Sequence, residues 1–323
     1  MKLAYLMKPE VDVKRVAPPG SDYIRITMRP DRTWDPKDLE LLRDREAILT
    51  WKDLVTEEVI KAAPNLKIVQ RFGAGYEVLE GCLAITRERG IYCCNLEGVN
   101  KESVGEHGMM MILAVARRLM SMHDHVRNAR WPMTLTPDNP TFELVGKTLG
   151  IIGLGNTGSE LAKRARAFEM KIIYNDVREI DPKLVGSLDA VFAKKEELYR
   201  RSDIVSINTD LNASTRNLIT ARELGMMKRS AVFICCARGG IVDQGALAEA
   251  LNADRLYGAG IDVYDPEPVR PDNPLLSARN IVLTPHIAGV NGDTMKRHYG
   301  WAHENVMRVL LHGERPRWVV NGL

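Results

Sequence analysis

Long hydrophobic runs are missing from this 323-residue chain. The longest, Met109 to Ala116, is well short of the roughly 20 apolar residues that cross a bilayer, which excludes a membrane-spanning helix. The apolar start, Met1 to Met7, is too brief for an export signal and stops at Pro9, so a cytoplasmic protein is expected. Charge of one sign is also missing. Lys and Arg number 45 against 42 Asp and Glu, a formal excess of +3, too little to bind nucleic acid by neutralising phosphates. Five cysteines are an odd number without framework spacing, and no Cys-x-x-Cys occurs. The adjacent pairs Cys93-Cys94 and Cys235-Cys236 lie in apolar runs and read as small buried hydrophobes, since disulfides need separated, facing Cβ atoms. Internal repeats and low-complexity tracts are missing as well. What is there is globular, with 45% hydrophobic and 27% charged residues and a length that fits two domains of roughly 150 residues.

From about residue 145 to 290, apolar runs of strand length alternate with helical patterns. The strand candidates are Thr148–Ile152, Lys171–Tyr174, Ala190–Phe192, Ile204–Ile207, Val232–Cys235, Gly258–Val263 and Ile281–Thr284. Helical candidates between them include Ser159–Glu169, Glu196–Arg201, Ala221–Met227 and Gln244–Asn252. Near-continuous apolar strands joined by helices predict a parallel sheet covered on both faces. The first hundred residues repeat the style with Lys2–Leu6, Ala47–Leu49, Ile68–Gln70 and Ile91–Cys94. One long helix is expected from Val104 to about His125, a second from Asp293 to Leu311, and an exposed arm over Trp131–Thr141. The expectation is two doubly wound α/β domains: 1–101 with 291–323, and 102–290.

Gly153-Leu154-Gly155-Asn156-Thr157-Gly158 follows one strand and opens a helix. The first glycine suits a tight turn, the second a close approach to a pyrophosphate, the third close helix–strand packing. The pyrophosphate would sit on the helix N-terminus. The next strand candidate runs to Asp176, close to the ~20-residue offset of an acid that binds the adenosine ribose. That acid would repel a ribose 2′-phosphate and favour NAD over NADP, with Arg178 two residues on as the counter-argument.

Three more segments stand at or beyond strand ends, where such sheets bind ligands: Ala237-Arg238-Gly239-Gly240, Asp262-Val263-Tyr264-Asp265-Pro266-Glu267-Pro268, and Thr284-Pro285-His286-Ile287-Ala288-Gly289. Taken singly, a turn Arg, a Glu between prolines and a His after a strand are more often structural. Together they fit ketone reduction, which needs a proton donor beside the hydride donor, and an imidazolium supported by a carboxylate serves near neutral pH. Arg can clamp a carboxylate with two parallel hydrogen bonds.

From Gly146 to Gly289 the chain resembles the D-isomer-specific 2-hydroxyacid dehydrogenase family. The resemblance rests on Val145-Gly146-Lys147-Thr148-Leu149-Gly150 before the fingerprint, Ser214-Thr215-Arg216-Asn217-Leu218-Ile219, Ala237-Arg238-Gly239-Gly240-Ile241-Val242-Asp243, Gly260-Ile261-Asp262-Val263 and the histidine segment. It extends back to Gly73-Ala74-Gly75-Tyr76 and Val104-Gly105-Glu106-His107, and is weakest over the first 60 residues. The resemblance implies a Rossmann-type NAD-binding domain beside a smaller flavodoxin-like substrate domain, and NAD-dependent interconversion of a 2-oxo acid and a D-2-hydroxy acid. His286 would be the acid/base, Glu267 its partner, and Arg238 the group that binds the carboxylate and polarises the carbonyl. Asp262 would hold the nicotinamide carboxamide, with backbone near Cys236 and Ala237 completing that pocket. Gly153, Gly155, Asn156, Thr157, Gly158, Asp176, Thr209, Gly289 and Val104 would complete the cofactor site. Backbone N–H groups of Gly73, Ala74 and Gly75 would bind the substrate carboxylate. No metal is implied.

Two segments depart from the family pattern. Thr209-Asp210 stands where a small residue and Pro are usual, and Glu77-Val78 where Asp-Asn is usual. Glu267 argues against the formate dehydrogenase branch, which carries Gln there, and the end soon after Val319-Val320-Asn321 against the longer phosphoglycerate dehydrogenases with regulatory domains. A non-enzymatic NAD-sensing scaffold like the corepressors of this fold keeps the same Arg, Glu and His and is the rival reading. An amino-acid dehydrogenase, which relies on a catalytic Lys, is a weaker one. His123, His125, His298, His303 and His312 lack metal-ligand spacing, and Arg117-Arg118, Lys194-Lys195 and Arg200-Arg201 read as solvated faces. The apolar Val104–Met120 stretch, with Met109, Met110, Met111 and Ile112, predicts a buried helix and a homodimer formed through the cofactor domain.

Overall fold

The computed structural model describes residues 1–131 and 141–323; apart from its two ends, the arm expected over Trp131–Thr141 lies outside them. Two compact units are present, Met1–Asn100 with Asn291–Leu323, and Lys101–Val290.

The first unit is built on β1 (Lys2–Leu6), β2 (Asp22–Ile26), β3 (Ala47–Thr50), β4 (Ile68–Arg71) and β5 (Tyr92–Cys94), all parallel in the order β2-β1-β3-β4-β5. The strands inside the sheet are buried on both faces, which is why they read as unbroken apolar runs. Strand β2 escapes the sequence pattern because it is an edge strand, pairing in register with β1 alone and burying only Ile26. The helix Gly292–Leu310 belongs to this unit and lays Ala302 and Val306 on the sheet; Asn291 caps it by accepting from the N–H groups of Asp293 and Thr294.

The second unit holds β6 (Thr148–Ile152), β7 (Lys171–Asn175), β8 (Ala190–Phe192), β9 (Ile204–Ile207), β10 (Val232–Cys235), β11 (Gly258–Ile261) and β12 (Ile281–Leu283). Their order is β12-β11-β10-β9-β6-β7-β8, all parallel. The winding direction reverses between β6 and β9, the place where such sheets open a ligand crevice at the strand ends. Strands β11 and β12 stop two residues and one residue earlier than expected, although the Asp262 and Thr284 N–H groups still donate to the Cys235 and Ile261 carbonyls at 3.0 Å.

The expected helix Val104–His125 is two helices, Lys101–Ala116 and Leu119–Arg127. The break falls at Arg118, whose φ of 49° is left-handed and whose guanidinium lies 5.1 Å from the centre of the Tyr257 ring. Neither Gly nor Pro marks the site, so the sequence carries no breaker signal. Most of the apolar surface of Lys101–Ala116 is buried within its own unit: Met109, Met111 and Ile112 are in the core, and Gly105 lets the helix lie against the backbone of Glu160. Met110 stays 45% exposed.

Candidate active site

The glycine-rich segment turns out of β6 directly into a helix. Gly155 is its N-cap, so the helix runs over Asn156–Ala167 and not from Ser159. Asn156, Thr157 and Gly158 therefore form the first turn, where N–H groups lack intrahelical acceptors and the dipole favours an anion. The glycines are sterically required. A Cβ on Gly158 would sit 2.1 Å from the Gly153 carbonyl oxygen, and one on Gly153, already at φ 92°, would meet Asn208 and Thr209 backbone within 3.1 Å. Thr209, two residues past β9, is thus brought against the turn. A turn packed this tightly, opening on a helix N-terminus, fits a dinucleotide pyrophosphate.

Asp176 follows β7, and its carboxylate is 5% exposed. Oδ2 accepts from the Leu154 N–H at 2.9 Å, and Oδ1 from the Arg178 N–H at 2.9 Å and its Nε at 3.3 Å. The acid therefore locks the fingerprint turn. Arg178 covers it, with Nη2 2.9 Å from where a Gly155 Cβ would stand.

On the other side of the switch point, three strand ends converge. Arg238 follows β10 and donates from Nη1 to the Ala237 carbonyl at 2.7 Å. Cys236, two residues before it, turns its thiol to Met111, Sγ to Sδ 3.7 Å. Gly239 lies so close to the segment after β11 that a Cβ would meet the Tyr264 carbonyl carbon at 2.0 Å. That segment carries Glu267, whose Oε1 accepts from the Tyr264 N–H at 3.1 Å. Its other oxygen, Oε2, is 2.7 Å from Nδ1 of His286. An ionised carboxylate only accepts, so against one Nδ1 is the donor and Nε2 is the ring nitrogen turned away from Glu267. His286 itself sits at φ 57°, a left-handed conformation in which its own N–H reaches the Asp262 carbonyl at 2.7 Å. Strained non-glycine residues of this kind cluster at functional sites.

Asp262 is completely buried and is held by the loop that follows β12. Oδ1 accepts from Thr284 Oγ1 at 2.5 Å and from the Ile287 N–H at 2.9 Å, and Oδ2 from the Ala288 N–H at 2.8 Å. The carboxylate is an internal staple that shapes the His286 loop. Thr284 and His107 were missed as members of the site: His107 Nε2 is 3.0 Å from Thr284 Oγ1 and 3.7 Å from Asp262 Oδ1. Burial pushes the His107 imidazolium toward neutrality, and the Asp262 charge opposes this. The sequence signal for His107 is its place three residues after Val104 in Val104-Gly105-Glu106-His107. Ser103 Oγ donates to the Ala288 carbonyl at 2.7 Å, which ties the start of that helix, where Val104 lies, to the end of the histidine loop, where Gly289 lies.

In the first unit, Gly73-Ala74-Gly75 follows β4, with Gly73 at φ 146°. His298 and His303 are buried there in the last helix; burial is the main cause that lowers both to about 4, and His303 Nε2 pairs with the Tyr5 hydroxyl at 2.9 Å. The five cysteines are free thiols. Among the described residues, no group of three or more His, Cys, Asp or Glu side chains comes together as a metal site, and no helix is long and apolar enough to cross a membrane.

Comparison with known proteins agrees with this geometry. Residues 109–288 match the family described as D-isomer specific 2-hydroxyacid dehydrogenase, NAD binding domain. The chain is 36% identical to the glyoxylate reductase of Thermofilum pendens, covering 98% of this chain and 95% of that one. It is 33% identical to the glyoxylate reductase of Korarchaeum cryptofilum, covering 98% and 96%. Among solved structures, the TT0316 protein of Thermus thermophilus superposes with a TM-score of 0.85 at 33% identity, covering 99% and 100%. The chain belongs to the D-isomer specific 2-hydroxyacid dehydrogenase family, enzymes that interconvert 2-oxo and 2-hydroxy acids with a nicotinamide dinucleotide, and it carries that family's NAD binding domain.

Proposed function

We propose that the protein reduces a small 2-oxo acid with NADH, reversibly, glyoxylate to glycolate or a substituted 2-oxo acid such as hydroxypyruvate to its D-2-hydroxy acid, with His286 as acid/base. The observation that carries this reading is the 2.7 Å pairing of His286 Nδ1 with Glu267 on loops braced by Asp262. When bound, the dinucleotide supplies or takes up the hydride. As C2 is reduced, His286 Nε2 gives its proton to the carbonyl oxygen, and it takes the proton back in the oxidation. Glu267 keeps the ring oriented and faces the charge that the ring carries when protonated. Arg238 forks the substrate carboxylate and polarises the carbonyl, which places the developing oxyanion next to a fixed positive charge. In the first unit, backbone N–H groups of Gly73, Ala74 and Gly75 serve as donors to a carboxylate.

The first turn at Gly155, Asn156, Thr157 and Gly158, beside Gly153, holds the pyrophosphate, and Asp176 accepts from the adenosine ribose once Arg178 swings aside. Backbone near Cys236 and Ala237 meets the carboxamide, with Val104, Thr209 and Gly289 lining the site. Glyoxylate reductases among the relatives favour a small substrate and support the enzymatic reading over a corepressor-like scaffold. The reading includes a homodimer formed through the second unit, supported by the exposed apolar side chains of Met110, Leu119, Met120 and Phe168. It also includes a cytoplasmic location, which suits free thiols.

Initial rates on glyoxylate, hydroxypyruvate, pyruvate and phenylpyruvate with NADH and with NADPH test it. Turnover of at least one 2-oxo acid, faster with NADH, is expected. Coenzyme binding without turnover of any of them would favour the scaffold instead.

A further inference from the structure

We propose that Asn95 is a positioning residue that sets the direction of the backbone donors in the Gly73-Ala74-Gly75 loop, and through them the affinity for the substrate carboxylate. The inference rests on the proposed role of that loop. Its geometry lies wholly within the first unit.

Across a planar trans peptide, the C=O of one residue and the N–H of the next point in opposite directions. Fixing a carbonyl therefore aims the following N–H. The Gly73 carbonyl accepts from the Leu96 N–H at 2.8 Å, which turns the Ala74 N–H away from the end of β5. The Ala74 carbonyl accepts from Asn95 Nδ2 at 2.6 Å, which turns the Gly75 N–H away from the same side. Two consecutive residues on one strand end thus hold two consecutive peptide planes, one by main chain and one by side chain.

Asn95 is itself held from several directions. It is 7% exposed; its N–H donates to the Trp318 carbonyl at 3.2 Å, and its carbonyl accepts from Gln70 Nε2 at 3.1 Å. Gln70 is completely buried, and its Oε1 accepts from Asn305 Nδ2 at 3.0 Å. Asn305, 1% exposed, also exchanges bonds with the Arg317 main chain at 2.9 and 3.0 Å. The last helix and the C-terminal segment therefore brace one amide that in turn braces the loop. Buried polar networks of this kind fix a single geometry when every member is satisfied.

Gly73 has φ 146°, a conformation that L side chains rarely adopt, so Gly73→Ala strains the loop by a route independent of Asn95.

The test is steady-state kinetics of the full chain with glyoxylate or the best 2-oxo acid, with KM for NADH measured alongside. Asn95→Ala frees the Ala74–Gly75 peptide to rotate. One hydrogen bond to a charged group then weakens, which corresponds to about a 10- to 100-fold rise in KM for the 2-oxo acid, with kcat changing less and KM for NADH unchanged. Asn95→Asp, which sets a carboxylate against the Ala74 carbonyl, should raise KM further. Asn95→Ser, whose hydroxyl falls one bond short of the Ala74 carbonyl, should raise KM much as Asn95→Ala does and serves if the Ala variant does not fold. A rise in KM for Gly73→Ala but not for the Asn95 variants would overturn the positioning role and leave the loop's role standing. No rise in any of them would overturn both. Equal changes in KM for the 2-oxo acid and for NADH would make Asn95 a general structural residue and also overturn the inference.

Discussion

The two units share one architecture, a parallel sheet wound with helices, yet they store their chemistry differently. In the second unit, polar residues sit in short contiguous segments beyond strand ends: 153–158 after β6, Asp176 after β7, Arg238 after β10, Glu267 after β11, His286 after β12. In the first unit, the buried polar side chains meet across long sequence separations, as a few, such as His107–Thr284 and Ser103–Ala288, do at the site of the second. Asn305 reaches Gln70, and Asn321 reaches Thr86 and the Cys93 main chain. The first pattern appears in a sequence as motifs; the second has no sequence signature until the chain is folded. Chemistry at the strand ends tolerates substitution without unfolding, whereas a buried long-range network carries stability.

The sharpest way to separate the two is Arg238→Lys. It keeps the charge in the second unit but loses the planar fork. About a 10- to 100-fold loss in kcat/KM is expected, in keeping with hydrogen bonds to a charged group, with thermal stability unchanged. Wild-type kinetics would make Arg238 a turn residue.

A smaller effect is expected from Asp176→Ala. Its loss removes repulsion of a 2′-phosphate and leaves Arg178, now without the carboxylate it covers, to attract one. Relative activity with NADPH should rise several-fold while NADH binds more weakly. Because Asp176 also accepts from the Leu154 N–H, a modest loss in Tm should accompany the change. A wild-type enzyme that already prefers NADPH would contradict this reading.

The contrast reverses for acid. His298 and His303 in the first unit are held near 4 when folded, chiefly by burial, against about 6.5 when unfolded. Between those values the unfolded chain binds more protons, so stability is full above about 6.5 and falls as pH drops toward 4. Tm measured from pH 7.5 to 4.5 should decline across that window, and His303→Gln, which still offers Tyr5 a hydrogen-bonding partner, should flatten part of the slope. An unchanged slope would place the acid sensitivity elsewhere.

Much of the second unit was legible because its inner strands are buried on both faces and most candidate residues follow one. The strand ends were less so: β11 was read to Val263 and stops at Ile261, since nothing in an apolar run says where pairing ends. That error concealed the bracing role of Asp262, whose hydrogen-bonding partners, Thr284, Ile287 and Ala288, lie more than twenty residues away. The break at Arg118 was invisible because no Gly or Pro marks the left-handed turn there, and the residue its guanidinium meets, Tyr257, is distant in sequence. In the first unit β2 was missed because an edge strand needs no apolar run, and Asn95 because its importance lies in what it holds.

The central claim is that Glu267 acts through His286, and a double-mutant cycle on kcat tests it most directly. His286→Ala should cost about 10²- to 10⁴-fold, the usual worth of a general acid, with NADH affinity nearly intact. Glu267→Gln alone should cost less, and adding it to His286→Ala should cost nothing further, because its partner is already gone. Near-normal turnover of His286→Ala, or losses that simply multiply in the double variant, would contradict the account.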